Sequence, residues 1–330
     1  MEKKSLPGWI LYVALLLSIG ASIWFFTPVK ADITHLVGYH EGKMTGQFLA
    51  PLSKGSPKAV DASEAILMDA NTGNILFEKN STTQVPMAST TKIMTALVAI
   101  QAGNLDQLIT VSQDALDQNL IGSSARLRLG DKIALKDLLY GMMLNSGDDA
   151  ATAIADGIAG STEKFVAVMN GTALRMGLFQ THFLTVSGLD TDLKGNPIPN
   201  NQHYTTARDL LTLTRYAMSI PLFAQIVSQK TYTLPESSTH ASYTWENTNP
   251  LLSDYPDAMG VKTGWTAAAG GCLVFSAKRN GHTLIGVVLH SVGSASQKLN
   301  EDQVAERQTL DDQTREADAT TLLNWGFSLY

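Results

Sequence analysis

Apolar side chains recur at three- and four-residue spacing through the middle of the chain, which is the period of an amphipathic α-helix. This pattern predicts helices over residues 135–144, 148–159, 162–176 and 206–218. A further helix begins near Ser89 and is apolar on nearly all sides through Ile100. A helix of that composition is expected to lie inside a domain and not on its surface.

Strand-like runs stand on both sides of this helical region. Residues 65–69 and 74–78 flank an Asn71-Thr72-Gly73 turn and predict a strand pair. Later in the chain, three more strands are predicted over residues 259–263, 271–278 and 282–290.

The last two predicted strands are joined through Arg279-Asn280-Gly281, where Asn-Gly suits a tight hairpin turn. Both are apolar on both faces, as expected of a sheet with helices on each side. The predicted fold is therefore mixed α/β: an antiparallel sheet flanked by helices, with an inserted all-helical subdomain at about 104–230. After it come a charged segment, 298–318, and an amphipathic helix that ends near Phe327 and packs back on the sheet.

The N-terminal part of the chain predicts export from the cytoplasm. Basic residues precede an uncharged run over 9–26 that is long enough to span a bilayer core. Residues 1–31 are therefore expected to be a signal peptide or a retained membrane anchor, followed by a linker over 32–62 and one folded domain over 63–330. The protein is expected outside the cytoplasm, associated with the cell membrane or secreted.

Composition excludes several classes of function. The net charge of −6 and the lack of a basic–aromatic cluster argue against nucleic-acid binding. The single cysteine, Cys272, lies in an apolar run and is expected to be a packing residue. No Cys–His cluster or helical His-Glu-x-x-His is present, so no metal site is predicted.

The start of the apolar helix carries the first candidate chemistry. Ser89 and Lys92 are three residues apart, so on a helix the amine can reach the hydroxyl. Burial disfavours the charged form of an amine, which is one way that a lysine becomes a general base. The pair is interpreted as a nucleophile and its base, although a capping serine beside a snorkelling lysine has the same spacing. Ser161 and Lys164 share that spacing in a more polar setting and are expected only to cap a helix.

Two further segments add polar groups. Lys262-Thr263-Gly264 ends a predicted strand, where a lysine, a hydroxyl and a glycine could hold a carboxylate against the backbone. Ser146-Gly147-Asp148 lies between two predicted helices, where short polar side chains can point into a cleft. Each segment alone is also compatible with an ordinary strand end or helix connection.

Together, and in this order, the three segments resemble the signature of penicillin-binding proteins and serine β-lactamases, Ser-x-x-Lys, Ser-x-Asn and Lys-Thr-Gly. Their surroundings are most similar to the low-molecular-mass D-alanyl-D-alanine carboxypeptidases. The similar stretches are residues 88–96, 142–151, 203–210, 247–252 and 260–266. The resemblance runs from about residue 60 to the end, and it implies the β-lactamase/penicillin-binding-protein transpeptidase fold.

The resemblance also implies a mechanism. Ser89 would attack a peptide ending in D-Ala-D-Ala and form an acyl-enzyme, while Lys92 takes the serine proton. Ser146 would pass a proton to the leaving D-alanine. Three further roles are implied. Lys262 and Thr263 would bind the carboxylate, Gly264 would let the substrate lie close to the backbone, and the backbone N–H groups of Ser89 and Trp265 would form an oxyanion hole. The substrates would be peptidoglycan stem pentapeptides, β-lactam antibiotics would inhibit by acylating Ser89, and no cofactor would be needed.

Asp148 departs from the family pattern, which has asparagine at this substrate-binding position. An asparagine both donates and accepts, whereas an ionised aspartate only accepts. A carboxylate near Lys92 and Lys262 would favour the charged form of both lysines. We therefore expect activity, with a pH optimum different from that of an asparagine variant.

Other functions remain open at this point. A β-lactamase would use the same scaffold, but no glutamate between 151 and 245 has the expected context of a deacylating base. A peptidoglycan DD-endopeptidase or transpeptidase differs mainly in leaving group and acceptor. A non-catalytic peptidoglycan-binding relative would fit a site that had decayed at Asp148. A Ser–His–Asp hydrolase lacks its Gly-x-Ser-x-Gly elbow.

Overall fold

A computed structural model describes residues 55–102, 104–118, 122–191, 196–300 and 302–330. The predicted signal peptide or anchor (1–31) lies outside the described residues, as does most of the predicted linker (32–62). Within the described part, no single helix is long and apolar enough to cross a membrane. Two consecutive helices, Ala207–Met218 and Pro221–Ser228, reach that length and composition together, but they bend by 104° at their break.

A five-stranded antiparallel sheet forms the centre of the domain. Its strands are β1 (Glu64–Asp69), β2 (Ile75–Lys79), β7 (Ala258–Thr266), β8 (Gly270–Arg279) and β9 (His282–Ser291), in the spatial order β2-β1-β9-β8-β7. The first strand of the chain thus pairs with the last, and β7 forms one edge. The predicted β8–β9 hairpin is confirmed: Asn280 and Gly281 both have positive φ, 51° and 83°, as a tight two-residue turn requires.

The helices and short strands of the rest of the chain are as follows: α1 (Lys92–Ala102), β3 (Leu108–Thr110), α2 (Gln113–Asp117), β4 (Lys132–Ala134), α3 (Leu135–Leu144), α4 (Asp148–Ala159), α5 (Thr162–Arg175), α6 (Ala207–Met218), α7 (Pro221–Ser228), β5 (Thr231–Leu234), β6 (Tyr243–Glu246), α8 (Leu251–Asp254) and α9 (Val304–Phe327). Four of these helices, α3 to α6, match the predicted ones to within a residue. The region predicted as all-helical also contains the β3–β4 pair, and a second two-stranded pair, β5–β6, follows it.

The sheet is covered on both faces, as its apolar hairpin predicts. One face packs against α9 through Leu67, Phe275 and Leu322, which belong to the smaller of two apolar clusters. The opposite face joins the larger cluster, which includes Val274 of β8, Ile93 of α1 and Leu210 of α6. Helix α1 therefore lies where the sheet meets the helical region, and Ser89 and Lys92 lie at its beginning.

The C-terminal helix differs from its prediction. Helix α9 begins at Val304, so most of the segment predicted as a charged stretch before the helix is part of it. Asp311, Arg315 and Asp318 on this helix are buried, and each contacts the sheet or the chain next to it. The buried face of the helix was not predicted because it carries charged residues, which usually lie on the surface.

Candidate active site

Ser89 lies in a one-turn 3₁₀ helix, Ala88–Thr91, immediately before α1. Ala88 has a left-handed backbone, φ 46°, which L-residues rarely adopt. The turn is packed tightly from outside: a Cβ on Gly188 would lie 1.9 Å from the carbonyl oxygen of Ala88. Ser89 is thus presented by a constrained turn, and α1 begins at Lys92, three residues later than the predicted helix.

The amine of Lys92 is completely buried and has three partners. Its Nζ donates to Ser89 Oγ at 2.8 Å, to Asp148 Oδ1 at 2.6 Å and to the carbonyl oxygen of Ser187 at 2.8 Å. The contact with Ser89 brings together the predicted nucleophile and base. Three acceptors around one nitrogen are the environment of an ammonium group, whose three N–H bonds they satisfy.

Asp148 is the first residue of α4, and its side chain is 1% exposed. Burial raises the pKa of its carboxyl, while the ammonium of Lys92 opposes this rise and the neighbouring Asp149 adds to it. Asp149 itself points away from the lysines, since it accepts hydrogen bonds from the backbone N–H groups of Ala125 and Leu127. The direct charged partner of Asp148 is therefore Lys92.

The second lysine is joined to the second serine. Lys262 Nζ donates to Ser146 Oγ at 3.0 Å and to the carbonyl oxygen of Thr263 at 3.0 Å. Burial, together with the nearby positive charges of Lys92 and Arg315, holds the pKa of Lys262 well below its ordinary value, and Asp148 opposes this effect only weakly. Asp148 thus favours the charged form of Lys262, as expected, but burial and the two positive charges outweigh its effect.

Ser146 reaches Lys262 from a strained connection. Its φ is 57°, in the left-handed region, between the end of α3 and the start of α4. Such a conformation in a non-glycine residue costs free energy and is common in functional sites. The strained turn directs the Ser146 hydroxyl toward the sheet.

The strand that carries Lys262 and Thr263 passes directly behind Ser89. A Cβ on Gly264 would lie 2.9 Å from the backbone nitrogen of Ser89, so glycine permits this approach. The carbonyl of Gly264 accepts a hydrogen bond from Arg315 Nη1 at 2.9 Å, and Trp265 Nε1 donates to Asp311 Oδ2 at 3.0 Å. Helix α9 thus holds the end of β7 in place.

A buried histidine supports the turn that carries Ser89, the proposed nucleophile. His203 Nδ1 accepts from the backbone N–H of Leu184 at 2.9 Å, so Nε2 carries the proton and donates to Thr91 Oγ1 at 2.9 Å. Burial lowers the pKa of His203 to about 3, and the imidazole is neutral at ordinary pH. The histidine contacts the turn and not Ser89 itself, which argues against a Ser–His–Asp hydrolase.

Comparison with known proteins agrees with this geometry. A family model described as D-alanyl-D-alanine carboxypeptidase, Peptidase S11, matches residues 52–293. The chain belongs to this family. Its D-alanyl-D-alanine carboxypeptidase relative from Streptomyces sp. strain K15 is 36% identical over 306 residues, covering 86% of this chain and 96% of the relative. The carboxypeptidase DacD of Salmonella typhimurium is 36% identical over 281 residues, covering 82% of this chain, which spans only 64% of that relative's length.

A solved structure has the same fold. The crystal structure of the Streptomyces K15 DD-transpeptidase superimposes with a TM-score of 0.71 at 37% identity, covering 83% of this chain and 100% of that one. The predicted fold class is therefore confirmed: it is the fold of the penicillin-binding enzymes. The family also makes this chain a peptidase.

Of the eight residues that the sequence proposed, the contacts above join Ser89, Lys92 and Asp148, join Ser146 to Lys262, and place Gly264 against Ser89. Thr263 and Trp265 stand on either side of Gly264 in β7. Several supporting groups were missed: the Ser187 carbonyl, Thr248, whose hydroxyl lies 2.8 Å from that of Thr263, and Arg315. The stretch 247–252 had been noted for its resemblance, so Thr248 could have been found. A backbone carbonyl such as that of Ser187 leaves no signal in a sequence. Among the described residues, no three His, Cys, Asp or Glu side chains lie together as metal ligands would.

Proposed function

We propose that this protein is a serine D-Ala-D-Ala carboxypeptidase that removes the terminal D-alanine from peptidoglycan stem pentapeptides. The observation that supports this most is the contact of Lys92 Nζ with Ser89 Oγ, 2.8 Å apart, in a buried site closed by the Lys262-Thr263-Gly264 strand. A primary alcohol beside a buried amine is the arrangement of a nucleophile and its base.

In the acylation step, Ser89 Oγ attacks the carbonyl carbon of the penultimate D-alanine, and its proton passes to the amine of Lys92. The negative charge that develops on the carbonyl oxygen is stabilised by the backbone N–H groups of Ser89 and Trp265. The close approach of Gly264, the neighbour of Trp265 in β7, to the Ser89 nitrogen supports this role.

Departure of D-alanine needs a proton on its nitrogen. Lys262 Nζ donates to Ser146 Oγ, so the hydroxyl proton of Ser146 remains free to point at the leaving nitrogen. Ser146 therefore relays the proton that Lys92 has received. The Thr263 hydroxyl and the charge of Lys262 hold the terminal carboxylate, and a bound carboxylate favours the charged form of this lysine.

Water then hydrolyses the acyl-enzyme, with the same groups acting in reverse. A second candidate, transfer of the acyl group to an amine, is favoured by one observation: the structural neighbour is described as a DD-transpeptidase. The two reactions share the acyl-enzyme and differ only in the acceptor. The N-terminal segment, residues 1–31, would place the domain outside the cytoplasm at the membrane, and β-lactams would acylate Ser89 because they resemble the terminal dipeptide.

The test is the intact mass of the full-length chain in detergent after brief exposure to penicillin. We expect one long-lived adduct on the wild type and none on Ser89→Ala. Ser161→Ala is a matched control: Ser161 also precedes a lysine by three residues, but it caps α5 by accepting from the Lys164 N–H, so its variant should still be acylated.

Three other results would change the assignment. Loss of the adduct with consumption of penicillin would indicate a β-lactamase. Release of D-alanine from a D-Ala-D-Ala peptide only when an amine acceptor is present would indicate a transpeptidase. The absence of any adduct on the wild type would contradict the proposed function.

A further inference from the structure

Lys92 Nζ, the group that should accept the serine proton, has in this structure the hydrogen-bond pattern of an ammonium group. Lys92 Nζ lies within 2.8 Å of three acceptors: Ser89 Oγ, Asp148 Oδ1 and the Ser187 carbonyl oxygen. An ammonium group satisfies all three, and an ammonium group cannot act as a base. From this ammonium form, a proton must leave Lys92 before Ser89 can give up its own.

Among the three acceptors, Asp148 is suited to receive that proton. A backbone carbonyl and a serine hydroxyl are far too weakly basic, whereas a carboxylate is an ordinary proton acceptor. The distance between Lys92 Nζ and Asp148 Oδ1 is 2.6 Å, and the two side chains are 0% and 1% exposed. Water therefore neither screens the pair nor competes for the proton.

The surroundings of the pair also favour transfer. Separated charges are costly in a buried site, and transfer of one proton turns the ion pair into two neutral groups. Burial raises the pKa of the Asp148 carboxyl, and the nearby carboxylate of Asp149 acts in the same direction. Lys262 is the other charged group that faces Asp148, and its effect opposes transfer but is the smallest of those acting on the carboxyl.

We propose that Asp148 is the proton acceptor that converts Lys92 into a base. This inference rests on the proposed function and adds a step to it. The N–H bond of Lys92 that points at Asp148 breaks, an O–H bond forms on Asp148 Oδ1, and the nitrogen keeps the electron pair. That pair takes the hydroxyl proton of Ser89 as the Ser89 Oγ–carbon bond forms.

The remaining protons balance without an external acid or base. Lys92 passes the Ser89 proton through Ser146 to the leaving nitrogen as the carbon–nitrogen bond breaks. In the second half of the reaction it takes a proton from water and returns one to Ser89 Oγ. Asp148 keeps its proton throughout and gives it back to Lys92 at the end of the cycle.

The presence of aspartate where the Ser-x-Asn signature has asparagine then has a definite consequence. An asparagine cannot store a proton, so Lys92 in such a site must release one to solvent. With Asp148, Lys92 becomes a base whenever the Lys92–Asp148 pair holds only one proton, because that proton can rest on Asp148. Activity on the acid side is then lost only when a second proton binds, which happens at the lower pH typical of a carboxylic acid.

The opposite interpretation makes the opposite prediction. If Asp148 is only a counterion that keeps Lys92 charged, its negative charge delays formation of the base, and the asparagine variant should become active at lower pH than the wild type. The sign of the shift therefore separates the two.

The experiment measures the second-order rate constant for acylation of Ser89 by penicillin, followed by intact mass from about pH 4 to about pH 10. For Asp148→Asn we expect the acid limb to move upward by about one pH unit or more, with a loss of about tenfold in rate near pH 6. Asp156→Asn is the matched control. Asp156 lies on the same helix and burial also raises its pKa, but its partner is Ser112, so its profile should match the wild type.

An acid limb that moves downward or stays in place in Asp148→Asn would overturn the proposal while leaving the proposed function intact. If the wild type is not acylated at any pH, the proposed function fails and this inference fails with it. Thermal unfolding of each variant shows whether a loss of rate is a loss of folded protein.

Discussion

Replacement of Gly264 by alanine tests whether the contact between β7 and the nucleophile turn sets the reaction geometry. The new Cβ would lie 2.9 Å from the Ser89 nitrogen, 3.1 Å from Ala88 Cβ and 3.2 Å from the Thr90 nitrogen. Carbon atoms normally keep about 3.4 Å or more from such neighbours, so a displacement of about 0.5 Å is required.

The turn must absorb this displacement, because β7 cannot. Gly264 pairs with Cys272 in β8, and Arg315 holds its carbonyl. Overpacking of this kind costs about 1–3 kcal/mol of stability. A misplacement of about 1 Å can cost about a hundredfold in rate, so a shift of half that size should slow acylation by about tenfold to a hundredfold.

The assay is stopped-flow acylation of Gly264→Ala by a fluorescent penicillin, with thermal unfolding measured in parallel. Gly171→Ala is the control, because its Cβ on α5 would meet only Arg175 Nη1, at 3.5 Å. That variant should keep the full rate and gain up to about 1 kcal/mol from helix propensity. A Gly264→Ala protein that is acylated at the wild-type rate would refute the geometric argument.

Two further predictions concern buried titratable groups away from the nucleophile. His203→Gln should be less stable than the wild type at neutral pH, and it should lose less stability on acidification. The folded pKa of His203, about 3, lies below the ordinary value of 6.5. In the wild type, therefore, only the unfolded chain binds a proton at this residue as the pH falls from 6.5 toward 3, which destabilises the folded protein. Parallel melting temperatures for the two proteins between about pH 7 and about pH 5 would contradict this. Glu64→Gln should melt higher than the wild type at about pH 8 and equally at about pH 4, because burial raises the pKa of Glu64 from 4.5 to about 7 and its Oε2 has no hydrogen-bond partner among the described residues. The sign follows from the raised folded pKa: the unfolded chain loses the Glu64 proton near pH 4.5 and the folded protein only near pH 7, so the destabilisation grows between these values and is complete above about 7. A melting difference that does not depend on pH would refute the assignment.

The long elements of the fold could be predicted because each carries its own periodicity. Helices α3 and α4 begin and end at the predicted residues, since their apolar stripes are continuous and a short polar connection separates them. The strand pairs β3–β4 and β5–β6 were missed because strands of three or four residues have too few positions to show alternation.

The chemistry of the site could be predicted for a different reason. Ser89, Lys92 and the Lys262-Thr263-Gly264 strand resemble a family pattern. That pattern is defined by the order of its segments, so it can be identified without any hydrophobic periodicity. What could not be predicted depends on three-dimensional contact. Arg315 lies in the segment predicted only as charged, and the packing of α9 shows that it is 5% exposed and bonded to Gly264.

The active site is assembled from parts of the chain that are far apart. Lys92 meets Asp148 across 56 positions and Ser187 across 95, while Lys262 meets Ser146 across 116. Contacts of this range form only when the sheet and the helical region have already docked, so a chain that is still unfolded after export has no activated serine. A covalent β-lactam label would therefore count the molecules that have completed folding, and the ratio of labelled to total protein would report folding yield outside the cytoplasm.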